Sequence, residues 1–342
     1  MVPQVGNKIH WQTAASALHP GSGAGLVPLP MPFTPPLPLI LVLGPTASGK
    51  SALAAALAAQ LGGEVISADA MAVYRDMDVG TAKPDAVTLA QVPHHLISII
   101  DPTERCDVQR WLTLAEQVLA DIRARGRLPI VAGGSPLYTK ALLEGLSAGA
   151  PRDEAVRGAL DARYATDGGE AMLAELARVD PVYARDRHAN DQRRIVRALE
   201  VWQLTGVAYS AHHTTDGVRR SDLRPLLLGL KWDKEALHRR INRRVKDMFA
   251  NGLVEEVGRL APRLSPEAAQ AVGYKEILAL LSGTPFDLET AIYHVSRNTR
   301  NLAKHQLTWY RRFTDIRWLA GDDPELGTVA LTACRDWLAA AS

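Results

Sequence analysis

The sequence predicts an α/β core built on a parallel sheet and interrupted by an all-helical insertion. Three observations carry this prediction. Short apolar runs alternate with helix-like segments over the first half of the chain. From residue 151 to 222 only helical periodicity remains. A further apolar run at residues 226–230 then returns the pattern to strand. Strands alternating with helices pair in parallel through crossover connections, and ligands sit at the strands' carboxyl ends.

The elements follow in order. Residues 1–36 hold seven prolines and one lysine with no apolar h-region. This reads as a disordered Pro-rich extension, neither signal peptide nor membrane anchor. Met31, just ahead of the first strand, is an alternative start. The apolar run 39–43 is the first strand. Gly44-Pro45-Thr46-Ala47-Ser48-Gly49-Lys50-Ser51 follows it, and an alanine-rich helix opens near Lys50 and stops at Leu61-Gly62-Gly63. Residues 64–68 form a second strand that stops at Asp69. Residues 96–100 read as a third, 108–125 as a helix closed by Gly126, and 128–132 as a fourth strand. The core thus covers 37–150 and resumes at 223–320. In the insertion, 151–222, helices fall at 153–166, 169–178 and 191–205. The last is capped by Asn190 or Asp191 and stopped by Gly206. Helices at 234–250, 253–261, 272–282 and 287–312 follow the returning strand, and 321–342 is a C-terminal helix or tail. There is no internal repeat.

Composition narrows the class. Of 342 residues, 47% are hydrophobic and 22% charged, as in ordinary soluble globular chains. A formal charge of +2 does not by itself announce a nucleic-acid binder. Its distribution is uneven: residues 291–314 contain no acid but five Lys or Arg, namely Arg297, Arg300, Lys304, Arg311 and Arg312. Cys106 and Cys334 form neither a metal spacing nor a disulfide framework, which fits a reducing cytoplasm. No run reaches the ~18 apolar residues of a membrane span.

The chemistry starts at residues 44–51, which complete G-x-x-x-x-G-K-[ST] between a strand and a helix. The core is therefore P-loop NTPase-like. Backbone amides and the helix N-terminus cradle phosphate oxygens, Lys50 adds a full charge, and the Ser51 hydroxyl can hold Mg²⁺. Asp69, at a strand end, suits a base or a metal ligand, and equally a helix cap or turn. Ser135 suits an N-cap with Pro136 at the first helical position, or a hydroxyl donor into the same crevice. The fourth strand ends Ile130-Val131-Ala132-Gly133 without the aspartate of motor ATPases, leaving kinases or other group transferases. His94 and His95 read as packing and turn residues. Arg297, Arg300, Lys304, Thr308 and Arg311 share one helix face beside Trp309 and Tyr310. This is either a nucleic-acid surface or a solvated face over a core of Leu302, Leu307 and Tyr310. Arg193, Arg194 and Arg197, and Arg239, Arg240, Arg243 and Arg244, add further basic clusters.

Together the segments GPTASGKS (44–51), ISADAMAVYRDMDVGTAKP (66–84), PHHLI (93–97), AGGSPLYTKALLEGL (132–146), NDQRRIVRALEV (190–201), VGYKEI (272–277) and KHQLTWYRR (304–312) resemble the bacterial tRNA dimethylallyltransferase family, from about residue 39 to 319. The resemblance implies a cytoplasmic, monomeric enzyme. It would move a dimethylallyl group from its diphosphate to N6 of the adenosine 3′ of the anticodon in tRNA, with Mg²⁺ and no protein partner. It implies that residues 44–51 and Arg244 hold the diphosphate, that Asp69 is the base, and that Ser135 helps hold the diphosphate where the family has Thr. It places Arg157, Asp69-Ala70-Met71-Ala72, Ser135, the Arg193, Arg194 and Arg197 helix, the Gln270, Gly273, Tyr274 and Lys275 segment, and Lys304, His305, Gln306, Trp309 and Arg311 against the tRNA. The insertion would clasp the anticodon stem, and the flipped base would enter a channel.

Besides Ser135 for Thr, the chain departs from the family pattern at four places. Ala70 and Ala72 replace polar residues after the aspartate. His305 replaces an arginine, and Cys106 stands where an aromatic is common. A small-molecule or nucleotide P-loop kinase is the alternative. It explains residues 44–51 and Asp69 but leaves the basic faces unused.

Overall fold

The computed structural model describes residues 32–146, 151–213, 218–283 and 287–340. A six-stranded, wholly parallel sheet runs in the order β3-β2-β4-β1-β5-β6. Its strands are β1 (Leu37–Leu43), β2 (Gly63–Ala68), β3 (His94–His95), β4 (Leu128–Gly133), β5 (Leu223–Lys231) and β6 (Arg317–Ala320). The central strands are apolar throughout because both faces are covered. Leu39, Leu41, Leu43, Ile66, Val131 and Leu227 point into one core, and Ile40, Val42, Val65, Ile130, Leu228 and Leu230 into the other.

Helix α1 (Lys50–Leu61) covers the second face. The first face is covered by α3 (Val108–Ala124) and α4 (Pro136–Glu144), which follow the short α2 (Ala86–Gln91). The insertion comprises α5 (Glu154–Asp167), α6 (Gly169–Val179), α7 (Pro181–Ala184) and α8 (Gln192–Thr205). It has a core of its own around Leu160, Met172, Leu176, Ile195 and Leu199. After β5 come α9 (Lys234–Ala250), α10 (Leu253–Leu260), α11 (Tyr274–Leu281), α12 (Leu288–Tyr310) and, beyond β6, α13 (Leu326–Ala339). Ala330, Ala333 and Cys334 of α13 bury against the α1 face, so part of the expected tail is a layer of the core.

Four expectations change. Residues 96–100 are not a strand. Leu96 and Ser98 take left-handed φ of 60° and 54°. The amides of Ser98, Ile99 and Ile100 bond to the carbonyls of Ala72 and Val73, not to a sheet neighbour. The third strand is His94–His95, paired with Val65 and Ile66. The expected extension reaches only partly beyond the described residues, since 1–31 lie outside them. Phe33 is buried, its amide donates to Asp222, and the Arg123 guanidinium lies 5.2 Å from its ring centroid. Leu302 is 40% exposed and belongs to no core. Helix α2 and strand β6 had no counterpart in the periodicity; α2 buries no residue, and β6 is four residues at a sheet edge.

Candidate active site

The parallel register brings three loops level at one edge. Leu43 aligns with Gly133 and Gly229, and Ala68 with Gly133, so β1, β2 and β4 end together. From β1 comes the loop carrying Lys50, from β2 Asp69, and from β4 the turn into α4. The amides of Gly134 and Ser135 both donate to the Ala68 carbonyl, which ties the β4 turn to the end of β2.

Asp69 divides its two oxygens. Oδ1 accepts from the amides of Met71 at 2.9 Å and Ala72 at 3.2 Å, fixing the rotamer in a local turn. Oδ2 faces Gly134. A methyl group on Gly134 would lie 3.3 Å from Asp69 Oδ2, 3.4 Å from Lys50 Nζ and 3.2 Å from Lys50 Cε. The acid and the ammonium therefore border one small space beside Gly134, which a side chain there would crowd. The turn role of Asp69, left open above, is real and coexists with a free oxygen aimed at Lys50. Arg244 on α9 is half-buried near the same carboxylate. Burial pulls its guanidinium down and Asp69 resists. Its Nη2 donates to the Thr81 carbonyl at 3.4 Å.

Burial lowers the Lys50 ammonium from 10.5 to about 8, with Asp69 opposing the shift and Arg244 adding to it. The sign follows. The folded chain holds this proton less tightly than the unfolded chain, so charging Lys50 costs stability below about pH 8. That cost lifts as pH rises toward 10.5. A bound anion reverses the preference. The Lys50 contribution to inorganic pyrophosphate affinity, once the ligand's own ionisation is allowed for, is expected to be flat below about pH 8 and to fall above it by up to about tenfold per pH unit. Calorimetry in buffers of different ionisation enthalpy reads the accompanying proton uptake. A flat profile through pH 9 would remove Lys50 as the proton acceptor.

The loop carries an orphan hydroxyl on its inner side and is held from outside. The Ser48 hydroxyl is buried without a hydrogen-bond partner, an orphan that a phosphate oxygen would satisfy. Ser51 is exposed in the first turn of α1. Outside, Trp232 Nε1 donates to the Ser48 carbonyl at 3.0 Å and Arg240 Nε to the Ala47 carbonyl at 2.8 Å, with the Arg240 guanidinium 4.4 Å from the Trp232 ring centroid. The Thr46 amide donates to Gln306 Oε1 at 2.8 Å. Ser135 caps α4, its hydroxyl accepting from the Tyr138 amide at 3.5 Å.

The GTAKP segment, distinctive but unexplained in the sequence, braces this region. Lys83 Nζ donates to the Tyr74 carbonyl, Asp78 and Ser98 at 2.5–2.8 Å. Buried Glu256 accepts from the amides of Asp78, Val79 and Gly80 at 2.7–3.0 Å and from the Tyr274 hydroxyl. A Cβ on Gly80 would lie 2.5 Å from the Tyr274 ring, so glycine is required there.

The residues expected against RNA divide into two groups. Arg193 and Arg194 on α8, Gln270, Lys275, and Lys304, His305 and Arg311 along α12 and just beyond it are exposed. Trp309 is half-buried with the Arg312 guanidinium over its ring at 5.1 Å. Ala70 and Met71 are half-buried. Others face inward. Arg157 and Arg197 converge on the buried carboxylate of Glu200 at 3.0 and 2.8 Å. Ala72, Gly273 and Tyr274 are buried. Gln306 is 7% exposed, with its amide nitrogen donating to the Gly134 carbonyl at 2.6 Å.

Residues 72–313 match the family described as IPP transferase, and 37–97 the one described as Isopentenyl transferase. The chain is 44% identical over 284 residues to a tRNA dimethylallyltransferase of Geobacter sulfurreducens, covering 82% of this chain and 91% of the relative. It is 46% identical over 293 residues to one of Anaeromyxobacter dehalogenans, covering 84% and 96%. Among solved structures, a tRNA isopentenylpyrophosphate transferase of Bacillus halodurans matches with TM-score 0.64 and 38% identity, over 88% of this chain and 96% of that one. A eukaryotic dimethylallyltransferase solved acting on tRNA matches with TM-score 0.76 and 28% identity, over 89% and 80%.

Proposed function

Because the chain belongs to the IPP transferase family of tRNA dimethylallyltransferases, we propose that it moves a dimethylallyl group from dimethylallyl diphosphate to N6 of the adenosine 3′ of the anticodon in tRNA. The N6–carbon bond forms as the carbon–oxygen bond to diphosphate breaks, and the amine proton leaves to a base. The observation that carries this is the shared space of Lys50, Asp69 and Gly134 at the ends of β1, β2 and β4.

Each group has work in this reaction. An exocyclic amine is a weak nucleophile, and Asp69 Oδ2 is positioned to take its proton while Oδ1 stays on the backbone. The leaving diphosphate is held by the inner side of the 44–51 loop, the α1 N-terminus and Lys50, while the Thr46 amide stays on Gln306. Arg244, near enough to act on both Lys50 and Asp69, adds a second positive charge, and preorganised charge of this kind stabilises the departing anion. Ser135 adds a hydroxyl at the α4 N-terminus.

No group of three His, Cys, Asp or Glu among the described residues could cage a metal. That suits Mg²⁺, which takes few protein ligands and keeps waters and substrate phosphates. Ser51 would hold it, and when bound the ion supplies charge to the leaving diphosphate. The exposed cations of α8 and α12 give the tRNA phosphates a surface. No helix among the described residues is long and apolar enough to cross a membrane. The cytoplasm, where tRNA is found, is the proposed location.

Labelled dimethylallyl diphosphate, Mg²⁺ and unmodified tRNA with adenosine-rich anticodon loops provide the test. Label confined to the adenosine beside the anticodon is the expected result. Label on free AMP instead would make the enzyme a free-nucleotide prenyltransferase. ATP turnover without transfer would make it a kinase.

A further inference from the structure

Gln306 lies within the α12 segment expected to contact RNA, yet its head group points the other way. One carboxamide joins two loops. Its oxygen accepts from the Thr46 amide in the phosphate loop, and its nitrogen donates to the Gly134 carbonyl in the β4–α4 turn. One turn later the Tyr310 hydroxyl donates to the Gly133 carbonyl at 3.2 Å. Gly134 is the residue flanked by Lys50 and Asp69. Beyond the last strand pair, Leu43 with Gly133, the loop that holds the anion and the turn that faces the base are therefore bridged by a single side chain 7% exposed.

The chemistry explains the residue type. Only a neutral group with one acceptor and one donor serves both loops. Ionised Glu cannot donate, Lys and Arg cannot accept, and Asn is shorter by a methylene. A buried carboxamide with both ends satisfied is expensive to disturb, because removing it leaves an amide and a carbonyl without partners.

We propose that Gln306 is a positioning residue of the diphosphate site, and not an RNA contact. It fixes the phosphate loop against the β4–α4 turn so that Lys50 and Asp69 meet the two substrates in register. Its catalytic meaning rests on the prenyl-transfer reading, but its effect on diphosphate binding does not.

The test uses the full chain and inorganic pyrophosphate with Mg²⁺ as probe, compared with tRNA binding. The variants are Gln306→Met, which removes both hydrogen bonds, and Gln306→Glu, which restores both only when the carboxyl is protonated. The charged groups beside the turn are Lys50 and Asp69, with Arg244 next to Asp69. These titrate in the wild type too, so each variant is read as its ratio to wild type at the same pH. Near pH 7.5 both variants are expected to bind pyrophosphate about tenfold or more weakly. Burial and the facing Gly134 carbonyl raise the pKa of a carboxyl at this position, so near pH 5.5 the Gln306→Glu ratio recovers to within about threefold, and the Gln306→Met ratio does not. The tRNA dissociation constant stays within about twofold throughout.

Loss of tRNA affinity with pyrophosphate binding unchanged would overturn the proposal and make Gln306 an RNA contact. Weak pyrophosphate binding by Gln306→Glu with no recovery at low pH would also overturn it, since a structural defect has no reason to heal on protonation. If Gln306→Met does not fold, the pH ratio of Gln306→Glu decides alone. A wild type that binds pyrophosphate with this Gln306 dependence but transfers no prenyl group would sink the reaction and leave the positioning role standing.

Discussion

Replacing Asp69 with asparagine is expected to lower the single-turnover rate of dimethylallyl transfer by about 10²–10⁴-fold while leaving tRNA affinity within about twofold. Asparagine is the informative choice because Asp69 has two separate tasks. Its Oδ1 anchors the turn through the amides of Met71 and Ala72, and an amide oxygen can keep both bonds. Its Oδ2 faces Lys50 across Gly134, and an NH₂ there can neither take a proton nor attract the ammonium. The variant should therefore fold and bind RNA but fail in the chemical step. Asp69→Ala should lose the turn as well and show a larger fall in stability. A normal single-turnover rate for Asp69→Asn would assign the base to another group, whatever happened to binding.

The second large effect is on stability. Glu256→Ala is expected to destabilise the protein by about 3–5 kcal/mol, because three backbone amides and the Tyr274 hydroxyl lose one buried acceptor. Thermal unfolding should fall by on the order of 10 °C. Glu256→Gln keeps an acceptor oxygen and should cost less. The loop freed in Glu256→Ala includes Thr81, whose carbonyl receives Arg244, so pyrophosphate binding should weaken together with stability. A melting shift below about 2 °C would mean that water replaces the carboxylate and the loop stays in place.

Much of the site was legible in the chain. Residues 44–51 have the spacing of a phosphate loop between a strand and a helix, and Asp69 follows a short strand whose end faces the crevice. Helix limits were clear wherever a glycine stopped a periodic run, as Gly206 stops α8. The misreadings share a cause. Residues 96–100 have the composition of a strand, but their partners are the carbonyls of Ala72 and Val73 in a loop, and composition does not name partners. Gln306 and Tyr274 sit beside exposed cations, and their inward direction depends on which side of the helix meets the phosphate loop or Gly80. Trp232, Arg240 and Gln306 hold three successive loop residues across long stretches of chain, and no local pattern encodes such contacts. Phe33 lies in a proline-rich stretch whose composition hides one buried aromatic.

The position of β1 has a consequence for synthesis. Central β1 pairs on one side with β4 and on the other with β5, where Leu37 meets Leu223. About 190 residues must leave the ribosome before that second partner exists, a wait of about 10–40 s at roughly 5–20 residues per second. Both edges of β1 are open until β4 emerges, and from then until β5 the nascent chain carries the phosphate loop on a strand with one open edge. The insertion, with its own core, is complete before the strand that closes the sheet emerges. Translation speed across residues 151–222 is therefore a determinant of how long the apolar edge of β1 stands exposed to chaperones or to another copy of itself.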